Sequence, residues 1–228
     1  MKISDILKYI VFSVLFVFVN ISCDENVTDF GFDGAISGTI KDQAGNIIAG
    51  DISSNTLLVK GLTEGDIVTT DIRVKGDGTY QHTKLYPAPT KFWITGPVKM
   101  VGDTLRINFS DNNVVQHDFV VEPFLTMKSP VLVGEPEATS VTVSYEIVPN
   151  DENVAEQRTI YCSTIPYPSS SIGSGPRYET KSVDVLTNKG STTITELASK
   201  TKYFIRVGAR AKGSNSLNFS NQIIVTTP

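Results

Sequence analysis

The 228-residue chain is poor in the residues on which most catalytic and metal sites depend. It has two cysteines and two histidines, which rules out a disulfide framework and leaves few ligands for a transition metal. The formal net charge is −4 and no run of lysines or arginines occurs, so the chain lacks the basic surface that nucleic-acid binding requires. The P-loop, GxGxxG and GxSxG patterns are also missing from the sequence. We therefore expect a protein that is not an enzyme, with no cofactor, no metal site and no nucleic-acid partner.

The few reactive side chains are better explained as structural. His82 and His117 fall in different predicted strands, where partly exposed histidines are commoner than metal ligands. Cys162 lies within a predicted strand and no histidine follows residue 117, which favours a buried, inert thiol. The acidic turn at 150–153 has no EF-hand spacing and is predicted to be a solvated loop. The 24 acidic residues are scattered over predicted turns and exposed strand positions, unlike the paired carboxylates of a glycoside hydrolase.

The N-terminal segment of the sequence is typical of an exported lipoprotein. Two lysines among the first eight residues precede an apolar, uncharged run at 9–19, a length that suits a signal peptide and is too short to span a bilayer. A small residue and then Cys23 follow, which resembles a lipobox, although Asn20 stands where leucine is usual. This resemblance implies that 1–22 are removed and that Cys23 is acylated, giving a membrane anchor. An ordinary secretory signal beside a chance cysteine is the alternative.

Two acidic residues, Asp24-Glu25, come directly after that cysteine. They resemble the export tag that sends lipoproteins of Bacteroides-type bacteria to the outer cell surface. The alternative is that they simply begin a solvated tether, which we place at 23–33. The expected location is therefore the outer membrane, lipid-anchored and exposed at the cell surface.

After residue 23, no segment keeps the 3.6-residue apolar period of a helix. Short runs rich in valine, isoleucine, threonine and aromatic residues recur instead, separated by glycine, proline, asparagine and aspartate. This pattern predicts an all-β fold. The length suits two consecutive β-sandwich domains of about 100 residues each, and we place them at 34–122 and 123–228.

The first domain carries a short signature at two predicted turns. Ser37-Gly38-Thr39-Ile40 is followed by Asp42 and Gly45, and Asp77-Gly78 precedes Tyr80 in a predicted hairpin. These residues resemble the carboxypeptidase-regulatory-like module, a transthyretin-like β-sandwich. Despite its name, that module has no peptidase centre, so the resemblance implies a structural or binding role.

The second domain resembles a fibronectin type III sandwich. The segment 140–145 alternates like its second strand, with Tyr145 where the family usually has tryptophan. Leu197 and Tyr203 match the turn before its sixth strand, and 220–227 matches the last strand. The resemblance implies that Leu197 packs beneath the turn and that Tyr203 is a tyrosine-corner residue whose hydroxyl bonds back to the chain.

Lipobox, transthyretin-like domain and fibronectin-like domain together resemble two-domain lipoproteins of unknown function from Bacteroides-type bacteria. The resemblance covers nearly the whole chain and implies an accessory of a Sus-type polysaccharide-utilisation system. The expected partners are a polysaccharide or oligosaccharide and an outer-membrane glycan importer, with the membrane reached through the lipid anchor. A structural scaffold that contacts other envelope proteins and binds no sugar is the alternative.

Sugar binding needs an aromatic ring with polar groups beside it, and the loop at 165–178 offers both. It is rich in proline, glycine and serine, and it contains Tyr167, Arg177 and Tyr178. Long polar loops on a rigid sandwich are frequent binding sites. The alternative is a connector whose tyrosines merely cover an edge of the sandwich.

A sandwich face is the second candidate glycan site. If Tyr203 and its alternate neighbours point inward, Phe204 and Arg206 point outward, and Tyr161 on a neighbouring strand could join them. Such a group would contact a ligand, a partner protein or the first domain. Trp93, the only tryptophan, lies between two apolar residues, and we expect it in a core or between the domains rather than in a sugar site.

Overall fold

A computed structural model of the chain describes residues 31–51, 56–170 and 180–228. Every element of regular secondary structure assigned in these ranges is a β-strand, which confirms the all-β prediction. No helix in the same ranges is long and apolar enough to cross a bilayer. The predicted signal peptide, Cys23 and most of the predicted tether lie outside the described residues, as do Arg177 and Tyr178.

The first sandwich consists of two sheets. One has the strand order β4-β1-β9-β6, with β8 also beside β1, and the other has the order β3-β2-β5-β7. Their strands are β1 (Gly34–Lys41), β2 (Leu58–Thr63), β3 (Thr70–Arg73), β4 (Thr79–Leu85), β5 (Pro89–Thr95), β6 (Val98–Met100), β7 (Leu105–Asn108), β8 (Val114–Gln116) and β9 (Phe119–Pro123). The sequence had not indicated β2 or β6 as strands.

Close packing explains the glycine of the signature in the first sandwich. A Cβ on Gly38 would lie 1.7 Å from the carbonyl oxygen of His117, so no other residue can occupy this position without moving a strand. The same carbonyl accepts a hydrogen bond of 2.7 Å from the buried Tyr80 hydroxyl. Gly38 and Tyr80, which are far apart in the sequence, thus meet at one backbone group.

The predicted strand at 114–121 is interrupted between β8 and β9. At the break, Asp118 accepts hydrogen bonds from the Thr39 amide at 2.8 Å and from the Lys41 ammonium at 2.6 Å. The Lys41 hydrogen bond, followed by that from the Thr39 hydroxyl, lowers the pKa of Asp118 to about 2. At this break the Asp118 carboxylate therefore forms the hydrogen bonds to β1 that backbone groups of a continuous strand would have formed.

The second sandwich also has two sheets. One has the order β10-β12-β11 with β15 beside β12, and the other has the order β14-β13-β16-β17 with β18 beside β16. Their strands are β10 (Leu125–Met127), β11 (Val131–Leu132), β12 (Val141–Pro149), β13 (Ala155–Ser163), β14 (Thr180–Asp184), β15 (Lys189–Ile194), β16 (Lys202–Ala211), β17 (Leu217–Phe219) and β18 (Ile223–Thr226). Alternate residues of β16 fill the core between the sheets, as expected: Tyr203, Ile205, Val207 and Ala209.

The turn before β16 has the tyrosine-corner contact. The Tyr203 hydroxyl accepts a hydrogen bond of 2.8 Å from the backbone N–H of Ala198, and Leu197 is buried in the core beneath the turn. Tyr145 is also buried in that core. Its hydroxyl lies 3.1 Å from that of Thr187.

Replacing Tyr203 by phenylalanine should lower the free energy of unfolding by about 1–3 kcal/mol, because the Ala198 amide loses its acceptor inside a packed turn. Chemical denaturation measures the change. Tyr145→Phe is the matched control and should cost less than about 1 kcal/mol, since Thr187 also donates to the Lys189 carbonyl at 2.9 Å. Equal stability of Tyr203→Phe and wild type would show that the corner contact contributes nothing.

Candidate functional site

The contact between the two sandwiches centres on Arg206. Its side chain has no exposed surface. The Nε donates to the carbonyl of Pro168 at 2.6 Å, and Nη1 donates to the carbonyl of Gly50 in the first sandwich at 3.0 Å. The guanidinium carbon lies 3.9 Å from the centre of the Phe219 ring. Burial lowers the pKa of Arg206 to about 10, so the group remains a cation at neutral pH.

A backbone bridge and one side-chain amide add to the contact between the sandwiches. Ala49 forms an antiparallel bridge with Phe219. The Asn218 side-chain Nδ2 donates to the Pro97 carbonyl at 3.0 Å, and its Oδ1 accepts from the Leu125 backbone N–H at 3.2 Å. Residues from Phe32 to Pro228 consequently form one compact unit.

Tyr167 packs against the backbone of the first sandwich. Its φ is 58°, and its N–H donates to the side-chain oxygen of Gln222 at 2.6 Å. A Cβ on Gly76 would lie 2.2 Å from Cγ of the ring, so the ring can lie this close only against glycine. Burial, followed by the charge of Asp77, raises the pKa of its hydroxyl. The structure thus places this ring at the contact between the sandwiches rather than free in a polar loop.

The second predicted glycan group is also covered. Phe204 and Arg206 point away from the core of the second sandwich as predicted, but Phe204 is 9% exposed, Tyr161 2% and Arg206 not at all. Tyr161 packs against Phe219, with the ring centres 6.1 Å apart. The prediction that these three residues form an exposed sugar-binding surface is therefore wrong. For Arg206 and Tyr161 the interdomain alternative is the correct one.

Replacing Arg206 by alanine should lower the stability of the unit by about 2–5 kcal/mol, because two buried carbonyls lose a charged donor. It should also split a single unfolding transition into two as the sandwiches uncouple, which calorimetry would detect. Arg210→Ala on the same strand is the control, since its ion pair with Glu156 spans 3.6 Å at the surface and contributes little. A single transition at the wild-type temperature in Arg206→Ala would contradict this role.

The remaining reactive groups do not come together. His82 is on β4 and is paired with Ile36 of β1. His117 follows β8, which lies on the other side of β1. Among the described residues, no three His, Cys, Asp or Glu side chains form a group that could hold a metal. Cys162 is buried, and desolvation raises the pKa of its thiol to about 12, so it is not a nucleophile at neutral pH.

The outer face of sheet β3-β2-β5-β7 is the best candidate site in the described parts of the chain. Along β5, Phe92 and Ile94 are buried in the core while Lys91, Trp93 and Thr95 alternate with them and are half-buried. Trp93 therefore lies on the outside of the sheet and belongs to none of the core clusters. Our expectation that it fills a core or the space between domains is wrong, because the strand's period of two turns it away from Phe92 and Ile94.

Polar side chains surround this tryptophan on the neighbouring strands. Lys60 is directly opposite it on β2 and forms an ion pair of 2.7 Å with Asp71 on β3. Lys91 lies 6.0 Å from the centre of the Trp93 ring, and Arg106 is opposite Lys91 on β7. The face thus combines one large aromatic ring with several charged hydrogen-bonding groups.

A groove of about 470 Å³ runs along the same part of the sheet. Its lining includes Leu62, Glu64, Asp66, Lys91, Arg106 and Asn108. Lys91 lies between the groove and the tryptophan, because it lines the groove and its ammonium is 6.0 Å from the centre of the Trp93 ring. An open groove lined by amide, carboxylate and cationic groups, with the Trp93 ring at the next outward position of β5, can hold a hydroxyl-rich ligand in a defined orientation.

Comparison with known proteins places the fold. No family model matches the chain, and no curated protein matches it either. A DUF3823 family protein from Parabacteroides merdae superposes with a TM-score of 0.67 at 13% identity, covering 85% of this chain and 98% of its own.

Two solved structures from the genus Bacteroides are similar at 16% identity, and in both cases the match covers 86% of this chain and 100% of the other. One, from Bacteroides uniformis, is provisionally named a carbohydrate binding protein and has a TM-score of 0.65. The other is a DUF3823 family protein from Bacteroides ovatus, with a TM-score of 0.64. The arrangement of two β-sandwiches is therefore shared with DUF3823 family proteins of Bacteroides and Parabacteroides.

Proposed function

We propose that this protein is a non-catalytic, carbohydrate-binding lipoprotein of the outer membrane and that it binds saccharide on the outer face of sheet β3-β2-β5-β7. The observation that carries the proposal is the position of Trp93. Its ring points away from the core, beside an open groove lined by amide, carboxylate and cationic side chains. Sugars stack their apolar ring faces on such aromatic surfaces, while groups at the rim bond their hydroxyls.

Two further observations support a binding role. The Bacteroides uniformis protein with the same two-sandwich arrangement carries the provisional name of a carbohydrate binding protein. In addition, the histidines and the described cysteine are kept apart from the groove, with His82 on β4, His117 in the break between β8 and β9, and Cys162 in the core of the second sandwich. We therefore propose that the groove binds a ligand and catalyses no reaction.

The N-terminal sequence supports the cellular part of the proposal. Residues 9–19 and Cys23 resemble a lipoprotein signal, and Asp24-Glu25 resemble a surface-export tag. A lipid anchor at Cys23 would hold the two sandwiches at the membrane, where the protein would act as an accessory of a glycan-uptake complex. The groove would then capture polysaccharide outside the cell.

Replacing Trp93 by alanine should weaken binding to any glycan that the wild type binds by about 5- to 150-fold. Stacking of a nucleic-acid base on an aromatic side chain is worth roughly 1–3 kcal/mol by alanine substitution. We take sugar stacking to be of the same order, and 1.4 kcal/mol is about tenfold in affinity. Calorimetric titration against a panel of soluble polysaccharides measures the change. The unfolding temperature should move little, since the ring lies outside the core.

Tyr86→Ala is the matched control for this experiment, because Tyr86 is 52% exposed, pairs edge-to-face with Phe32 and is not among the residues that line the groove. It should bind as wild type does. If Tyr86→Ala abolished binding while Trp93→Ala did not, the site would lie at the Phe32–Tyr86 pair. If the wild type bound no glycan, the scaffold alternative would replace the present proposal.

Replacing Cys23 by alanine should abolish lipid attachment and leave the protein soluble in the periplasm or retained with its signal uncleaved. Metabolic labelling with a fatty-acid analogue and membrane fractionation detect the change. Cys162→Ala is the control and should remain labelled, because that thiol is buried in the second sandwich. Normal labelling of Cys23→Ala would show that Cys23 is not the lipid attachment site.

A further inference from the structure

Two cations face each other across neighbouring strands beside the proposed site. Lys91 on β5 and Arg106 on β7 are directly paired in the antiparallel ladder, and both side chains point to the outside of the sheet. Like charges in this position repel each other and destabilise a sheet. Neither forms an ion pair with a carboxylate of the described residues.

The other charged groups described on this face form no ion pair with these two cations. Arg73 on β3 points outward and likewise has no ion pair among the described residues, while Lys60 is matched by Asp71. Glu64 and Asp66 lie at the groove but form no ion pair with Lys91 or Arg106. Within the described residues, the outer face of the sheet therefore carries three cations without an ion pair, Arg73, Lys91 and Arg106, in a chain whose net charge is −4.

We propose that the groove recognises an acidic polysaccharide and that a uronate carboxylate of the bound chain sits between Lys91 and Arg106. This inference rests on the proposed function and names its ligand class. Side chains directly opposite on antiparallel strands have Cβ atoms about 4.5–5.5 Å apart, so one carboxylate can contact both cations. A guanidinium matches a carboxylate in shape and donates two parallel hydrogen bonds.

The position of Trp93 fits the same ligand. Lys91 lies 6.0 Å from the ring centre, which is near the limit of a cation–π contact, so its ammonium is free to turn towards a stronger acceptor. A sugar ring stacked on Trp93 would place its carboxylate within reach of Lys91. Capturing that carboxylate removes the repulsion between the two cations and links the aromatic and ionic parts of the face.

The test uses the full-length protein in detergent and three polyuronates: polygalacturonate, alginate and hyaluronate. Each is compared with its carboxyl-reduced, neutral form by calorimetric titration. The protein should bind at least one polyuronate and should bind its reduced form at least tenfold more weakly. Lys91→Gln and Arg106→Gln should each lower affinity for the acidic form about two- to fivefold and leave affinity for the reduced form unchanged.

Lys84→Gln is the matched control, because Lys84 is an exposed lysine on β4 in the other sheet; it should change nothing. Dextran sulfate tests for nonspecific attraction to charge, since Trp93→Ala should weaken binding to the polyuronate and not to this polymer.

Three results would overturn the inference: equal affinity for the acidic and reduced forms, an effect of Lys84→Gln as large as that of Lys91→Gln, or polyuronate affinity that is unchanged in Trp93→Ala. Trp93-dependent binding of neutral glycans alone would refute the acidic ligand and keep the proposed function, whereas binding of no glycan would refute both.

Discussion

The arrangement of the molecule depends on one buried cation. Arg206 has no exposed surface; desolvation lowers its pKa only to about 10, because the charge of Asp51 opposes this effect, and the group stays a cation. Its Nε and Nη1 donate to the backbone carbonyls of Pro168 and Gly50, and its guanidinium carbon lies 3.9 Å from the centre of the Phe219 ring. Burying an ion is costly unless it is hydrogen-bonded in this way. The interaction therefore holds the second sandwich in a defined place against the first, and the two form one unit.

This contact also decides which surfaces are available for function. The outward side of β16, the start of the 165–178 loop and the ring of Tyr161 are occupied by it, so they are not free for a ligand. The outer face of sheet β3-β2-β5-β7 contributes none of these interface contacts, and there a tryptophan and unmatched cations stay on the surface. A surface that keeps an aromatic ring and like charges in adjacent positions forgoes stability, and ligand binding is a physical reason to keep them.

Much of the fold could be predicted from local sequence, and most of the candidate site could not. The all-β class follows from residue composition and turn residues, and the Tyr203 corner and Gly38 follow from short motifs. Strand alternation also gave the two faces of β16 correctly. It could not say what covers the outward face, because the Gly50 carbonyl that Arg206 contacts is 156 residues away in the chain.

The same limit explains the mistaken placement of Trp93. A run of three apolar residues, Phe92-Trp93-Ile94, must send at least one of them outward, but the run alone does not say which face is the core. The answer comes from the partner strands, which place Phe92 and Ile94 inside. Likewise, the repulsion between Lys91 and Arg106 is invisible until their strands are known to be neighbours.

Saccharide binding over Trp93 can be tested optically, because this residue is the only tryptophan of the chain. Titrating the full-length protein with a polysaccharide that it binds, while recording intrinsic fluorescence with excitation selective for tryptophan, reports on this single ring. If saccharide stacks on Trp93, the fluorescence intensity and emission wavelength should change saturably, with a midpoint that agrees with the affinity from calorimetry. Saturable binding by calorimetry with an unchanged Trp93 spectrum would contradict stacking on this ring.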